Sequence, residues 1–416
     1  MSEGRRGEFM RLRTYALLAS VSAAACAGTA AHAQSAAPQP GAAREFKIGA
    51  RVAAFYDSNV SRSSVALSGA RDLSRSDYVL RPEATASIVQ PLGRQMVFIN
   101  GAAGYDFYRR NDDLNRRRYD VTVGGLGAVG PCAQTGTASF RAAQSDLGDV
   151  DLTTVKNLQE TTSFTAGVTC GRSVGPTIGL AAQRSDVKNS ARTLKVSDST
   201  TAGVSASFGY RNPTLGTISA YYSYSETEQP NRIIVGRPVG DGFHVESAGL
   251  NVQRKFGSRL DVLAAAGAMR LTREFAPPGA SLKITGATYN GAATYRAGSR
   301  LTLSLNASRA FQPSATAGKL YDVTTRGDIG ARYKLGSRFS VSLSQAVVDT
   351  KSNRDTALPG LVVTKSRTYS TAGTILYTQN QHASVAMDVR YDDRETDVPS
   401  FNYNAVRVGV TLAANF

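Results

Sequence analysis

From about Phe46 to Phe416 the chain repeats one pattern: a long segment in which apolar and polar residues alternate, a tight turn, a similar segment, and a looser polar loop. Within 320–335, Tyr321, Val323, Ile329, Ala331, Tyr333 and Leu335 share one face, and Asp322, Thr324, Arg326, Asp328, Arg332 and Lys334 the other. A period of two separates residues this way only in a strand. Leu301, Leu303, Leu305 and Ala307 alternate with Thr302, Ser304, Asn306 and Ser308, and Phe339, Val341 and Leu343 with Ser340, Ser342 and Ser344. The tight turns share a chemistry: Gly93-Arg94, Gly257-Ser258-Arg259, Gly298-Ser299-Arg300 and Gly336-Ser337-Arg338, with glycine supplying positive φ and Asn380-Gln381 expected in the same role. The pattern predicts eighteen strands, from 46–58 to 402–416 and including 136–146 and 159–170, with sixteen as the neighbouring even count. Longer loops are expected at 59–76, 147–158, 189–198, 228–242 and 352–362.

These segments are about twice the five or six residues of an ordinary soluble strand. A strand tilted across lipid needs roughly nine to eleven residues. In hydrocarbon each backbone N–H and C=O needs a partner within the protein, which an alternating sheet supplies only by closing on itself. The expectation is therefore an all-β, transmembrane antiparallel β-barrel over 45–416, with short periplasmic turns and long extracellular loops. The last segment carries Val406, Val408, Val410, Leu412, Ala414 and Phe416 on one face. A Phe-terminated apolar strand resembles the signal read by barrel-assembly machinery, with Val408, Val410, Leu412 and Phe416 as its residues. Aromatic residues near strand ends, Phe55-Tyr56, Tyr105, Phe107, Tyr108, Tyr221, Tyr222, Tyr224 and Tyr403, suggest an interfacial belt of tyrosine, because the chain has no tryptophan. Ordinary β-propensity accounts for any single one of them equally well.

The N-terminus places the chain. Met10 to Ala33 runs from Met-Arg-Leu-Arg through an apolar stretch to Ala31-His32-Ala33, the order of a signal peptide cleaved after Ala33. Residues 1–33 are thus expected to be removed, with 34–44 as a short periplasmic segment and both mature termini periplasmic. A lipoprotein reading of Cys26 meets Ala23 where leucine is usual. The chain carries a formal charge of +16; losing four arginines and two glutamates with the signal leaves +14. In the compartment a secretory signal implies, that balance points to acidic polysaccharide, lipopolysaccharide phosphate or small anions and not to nucleic acid, and a barrel there has outer-membrane lipid as a further partner. After processing only Cys132 and Cys170 remain, at the foot of one expected hairpin, and they suggest a disulfide, two free thiols being the alternative.

Phasing the clearest strands puts Lys47, Arg51, Arg118, Arg296, Arg326, Arg332, Lys334 and Arg407 on the polar face with Asp120, Asp322 and Asp328. A lumen so lined favours anions; the equal alternative is that these arginines pair with the aspartates or with plugging loops. The mature chain has only His244 and His382 and no nucleophile, base and orienter on one wall, so no catalytic residues, metal or cofactor are expected.

Asp57-Ser58-Asn59-Val60, Tyr78-Val79-Leu80-Arg81-Pro82, Gly93-Arg94, the aromatic group from Tyr105 to Tyr108, Leu114-Asn115, Ser308-Arg309 and the stretch from Tyr321 to Leu335 resemble the putative β-barrel porin 2 family. The stretch from Gly130 to Cys170 departs from it. The resemblance implies an outer-membrane conduit of eighteen strands, often associated with exopolysaccharide or holdfast export, working with a periplasmic polysaccharide-export protein. The leading expectation is export of an anionic or neutral polysaccharide through a basic lumen. A general diffusion porin for small anions and a closed structural or adhesive barrel are the alternatives.

Overall fold

A computed structural model describes residues 44–145, 156–232, 240–275, 281–314, 319–354 and 363–416. The expected signal peptide, most of the segment 34–44 and parts of the long loops lie outside the described residues. Among the described residues no helix is long and apolar enough to cross a membrane.

Eighteen antiparallel strands follow one another around a single sheet: β1 (Glu45–Asp57), β2 (Asp77–Leu92), β3 (Gln95–Tyr108), β4 (Arg116–Val129), β5 (Cys132–Gln144), β6 (Leu158–Gly171), β7 (Gly175–Asn189), β8 (Ser199–Asn212), β9 (Gly216–Gln229), β10 (Asp241–Phe256), β11 (Leu260–Arg273), β12 (Lys283–Ala297), β13 (Leu301–Pro313), β14 (Lys319–Lys334), β15 (Phe339–Arg354), β16 (Lys365–Thr378), β17 (Ala383–Thr396) and β18 (Tyr403–Asn415). Each strand pairs with its neighbours in sequence, and β1 also pairs with β18, from Gly49 opposite Asn415 to Asp57 opposite Arg407. The backbone amide of Phe416 donates to the Ile48 carbonyl, completing the ring. Closure removes both sheet edges, the condition for a sheet in hydrocarbon.

All the tight turns lie at one end of the barrel and all the long connections at the other. Gly257 and Gly298 take φ of 60° and 74° in their turns, which a side chain would disfavour. Asn380 works differently: its side-chain oxygen accepts the backbone N–H of His382 and Ala383, so this turn is held by a carboxamide and not by left-handed backbone.

The two faces of the sheet differ. Phe46, Ile48 and Val52 of β1, Leu303 and Leu305 of β13, Ile329 of β14, Leu343 of β15, and Val408, Val410 and Leu412 of β18 are exposed on the outside. Water would penalise such a band at about 25 cal/mol per Å²; lipid removes the penalty. Strands of 13–16 residues reach beyond an apolar belt of about 25 Å. Near the loop end, accordingly, the outer face turns ionic, with Arg184 paired to Asp186, Arg270 to Glu246 and Arg367 to Asp349.

Two expectations about facing change. Tyr321 does not join the lipid face: β14 shifts register between Lys319 and Asp322, and Tyr321 is buried with Leu320, Phe243 and Leu271 at the loop end. A bulge of this kind re-aims side chains locally. The aromatic belt also divides. Tyr56 and Tyr78 (ring centroids 5.2 Å apart), Tyr105 and Phe107 (4.6 Å), and Tyr224 beside His244 (5.7 Å) lie outside. Phe55, Tyr221 and Tyr403, one residue out of phase with that face, lie inside.

The loop end is knitted together. A short helix, Val65–Ala70, capped by the Ser64 hydroxyl, follows β1. Val60, Leu73, Leu114 and Leu194, from three different loops, form one buried cluster, and Leu67, Val363 and Phe401 another. The Asp77 carboxylate accepts the backbone N–H of Tyr78, Arg110 and Asn111 and the side-chain amide of Asn111, tying the first two long loops at their base.

Candidate conduit lining

In a closed barrel the face opposite the apolar band is the lumen. On β1 that face carries Lys47, Arg51 and Phe55, because Phe46, Ile48, Val52 and Tyr56 point to lipid. The same phasing puts Arg118 and Asp120 of β4, Arg296 of β12, Asp322, Arg326, Asp328, Arg332 and Lys334 of β14, and Arg407 of β18 on the inner side.

Register decides which of these meet. Arg51 lies opposite Glu83 of β2 and pairs with it. Glu83 lies opposite Gly104 of β3, and Gly104 opposite Arg118 of β4. With no side chain between them, Arg118 reaches across β3 to Glu83 (3.8 Å) and also approaches Asp106 (3.9 Å). Arg81 grips Asp106 with a fork of 2.6 and 2.9 Å. Three guanidinium groups thus share two carboxylates, a network with one positive charge in excess on the lumen wall. Bidentate, charge-assisted pairs of this type hold side chains in fixed orientations.

Further round, Asp120 lies opposite Arg141 of β5. Arg296 pairs with Asp261 (2.8 Å) and Lys47 with Glu45 (3.0 Å), both near the turn end. Arg326 bonds Asp328 (3.0 Å), which also accepts from Asn306 (2.6 Å), and Asp322 accepts from the Ser352 hydroxyl. Arg332 and Lys334 continue down β14, without an ion pair among the described residues. Much of the basic character foreseen from phasing is therefore neutralised in place, because neighbouring strands bring carboxylates into register.

The charges are not spread evenly. Apart from Arg296 and Asp261 on β12 and β11 near the turn end, the charges named lie in one arc, on β14, β17, β18 and β1 to β5. Opposite it, the inner faces of β6, β7 and β9 carry Thr161, Ser163, Gln183, Ser185, Ser223 and Thr227, with hydroxyl contacts such as Ser163 to Ser185 (3.1 Å) and Ser223 of β9 to Ser247 of β10 (2.6 Å). Small apolar clusters interrupt both arcs, notably Val89, Met96, Phe98 and Leu126 near the turn end.

Several lining residues escape a first reading of the sequence: Phe55, Arg81, Glu83, Asp106, Arg141, Asp388, Arg390 and Asp392. A signal existed for some. Arg81 and Glu83 alternate with Tyr78 and Leu80, and Asp388, Arg390 and Asp392 with Met387, Val389 and Tyr391.

Cys132 and Cys170 are direct register partners on β5 and β6 and form a disulfide. β5 starts at Cys132, four residues before the predicted 136, so the bridge lies within the ladder and not in the turns. The closing strand turns Val408, Val410, Leu412 and Phe416 outward, Phe416 being 80% exposed.

Residues 248–416 match the putative beta-barrel porin 2 family. The porin match runs from Ala248 in β10 to the C-terminus, so it includes Arg407 and Arg390 but not the network around Glu83. None of the curated proteins compared matches the chain. Among solved structures, the chain is similar to the outer membrane protein OpdK of Pseudomonas aeruginosa, with 11% identity, 89% of this chain and 99% of that one covered, and a TM-score of 0.45. The FrpB iron transporter of Neisseria meningitidis gives 8%, 84%, 63% and 0.47, and a bacterial polysaccharide outer membrane secretin 10%, 89%, 98% and 0.36. With the family match over residues 248–416, the closed ring and the exposed apolar band, the chain is an outer-membrane β-barrel whose last nine strands are similar to that porin family.

Proposed function

We propose that this barrel carries a polysaccharide, anionic or neutral, out through its lumen without chemistry of its own, with the termini and short turns in the periplasm and the long loops outside. The observation that carries the reading is the divided lumen wall. Serine, threonine and glutamine on β6, β7 and β9 offer a sugar chain's hydroxyls both donors and acceptors. The facing arc presents guanidinium groups held by carboxylates, with a small positive excess that favours anionic units without trapping them. The outward face suits lipid along its band and lipopolysaccharide at its ionic rim. The apolar closing strand ending in Phe416 is suited to the barrel-assembly machinery, and the turn end faces a periplasmic polysaccharide-export protein.

Two measurements test this. Deleting the gene should reduce secreted polysaccharide, and complementation should restore it; unchanged secretion overturns export. In planar bilayers the purified barrel should conduct with an anion preference, whereas absence of current would favour a closed structural barrel.

A further inference from the structure

On the inner face, Arg407 of β18 lies directly opposite Arg390 of β17. Like charges in that position repel and weaken a sheet. Arg390 is compensated by Asp392 (2.8 Å) two residues along its own strand. Arg407 lies opposite Asp57 of β1, but that carboxylate is paired with Arg62 (2.7 Å), and among the described residues none lies within 4.0 Å of Arg407. Its guanidinium instead stands 5.3 Å from the centre of the Phe55 ring on β1, the distance of a cation–π contact. Arg81 stands 5.2 Å from the same ring, but both arms of its fork are taken by Asp106.

Phe55 has room because its neighbour in register is Gly409. A Cβ at 409 would come within 2.8 Å of the Phe55 Cβ. Phe55, Arg390 and Arg407 are not fully buried, the Arg390 side chain keeping 15% of its surface exposed. The wall here combines a guanidinium that forms no ion pair among the described residues, a second one beside it and an aromatic ring; Asp57 and Asp392 are held by Arg62 and Arg390, and Asp388 lies in register with Gly409.

We infer that Arg407, Arg390 and Phe55 form a binding subsite for an acidic sugar unit. Arg407 would take the carboxylate through its planar donor fork, Arg390 would add long-range attraction, and the ring would pack against the C–H face of the pyranose. The assignment deepens the conduit reading, which it rests on for access to the lumen, and it narrows the cargo to chains that carry carboxylates. No covalent step is involved.

Isothermal titration of the folded full barrel in detergent with trigalacturonate, and with uncharged maltotriose as comparison, tests it. Wild type should bind the acidic trimer more tightly than the neutral one by about tenfold or more, the equivalent of one charge-assisted hydrogen bond. Arg407→Gln should abolish that preference, Arg390→Gln should weaken it severalfold, and Arg367→Gln on the outer face should leave it unchanged. Equal binding of the two trimers by wild type, or an unaltered preference in Arg407→Gln, overturns the subsite. Band shifts between heated and unheated samples in gels verify that each variant is folded, and if Arg407→Gln is not, Arg390→Gln and Phe55→Leu decide the matter by the same criterion. Bilayer current through wild type is read separately: current with no acidic preference removes the subsite and leaves the conduit, while acidic binding with no current removes the conduit and leaves the subsite.

Discussion

Glu83 and Arg118 sit on strands separated by β3, yet their charged ends approach to 3.8 Å because Gly104 lies between them. A Cβ at 104 would lie 2.6 Å from the Pro82 carbonyl oxygen and 3.2 Å from the Glu83 Cβ. Gly104→Ala should therefore destabilise the barrel by about 1–3 kcal/mol, the usual cost of overpacking. Thermal unfolding in detergent measures it, and an unshifted midpoint would show that the strands can yield.

Glu83 is the carboxylate that Arg51 and Arg118 share. Glu83→Gln keeps the shape, leaves Arg51 without its carboxylate and leaves Asp106 alone to Arg81 and Arg118. The anion-to-cation permeability ratio in a potassium chloride gradient should rise by about twofold. No change would mean that permeating ions do not pass this wall.

The Cys132–Cys170 bridge closes a sequence separation of 38. Replacing both cysteines with serine should cost about 2–4 kcal/mol, mostly through the freer unfolded chain. The wild-type melting temperature should fall to that of the double variant under reducing conditions. A reductant-independent midpoint would count against a stabilising bridge.

Asp77 is buried beneath the loops and accepts several backbone N–H groups there. Asp77→Ala would orphan them, each at a cost of about 1–3 kcal/mol. Limited proteolysis should then cut within 109–115, where the wild type resists; equal resistance would refute the tie.

Asp397, in the last long loop, accepts from the Thr364 backbone N–H (3.0 Å) and from the Thr364 hydroxyl. Partial burial pushes its carboxyl up, but those hydrogen bonds, with others from backbone amides, outweigh burial and hold it below the ordinary value. A carboxyl lowered on folding adds stability that is complete above its unfolded pKa, about 3.9, and is lost as pH falls through the lower folded value. Amide protection at Thr364, relative to intrinsic exchange, should hold at pH 5 and fall only under more acidic conditions. Asp397→Asn should remove that dependence.

How much of this could be read from the chain alone follows from what alternation encodes. A period of two assigns each residue to one of two faces, and an apolar face on long strands calls for lipid, so the barrel, its eighteen strands, the turns with Gly257 and Gly298 and the inner side of Arg51 or Arg407 were all legible in the order of residues. Periodicity carries no information on the stagger between strands. Whether Arg118 meets Glu83, whether Arg407 faces Arg390, and how Tyr321 leaves its expected face depend on register, bulges and glycines several strands away. Those are properties of the closed ring, because hydrogen bonding between strands, and not the sequence within one strand, determines which side chains become neighbours.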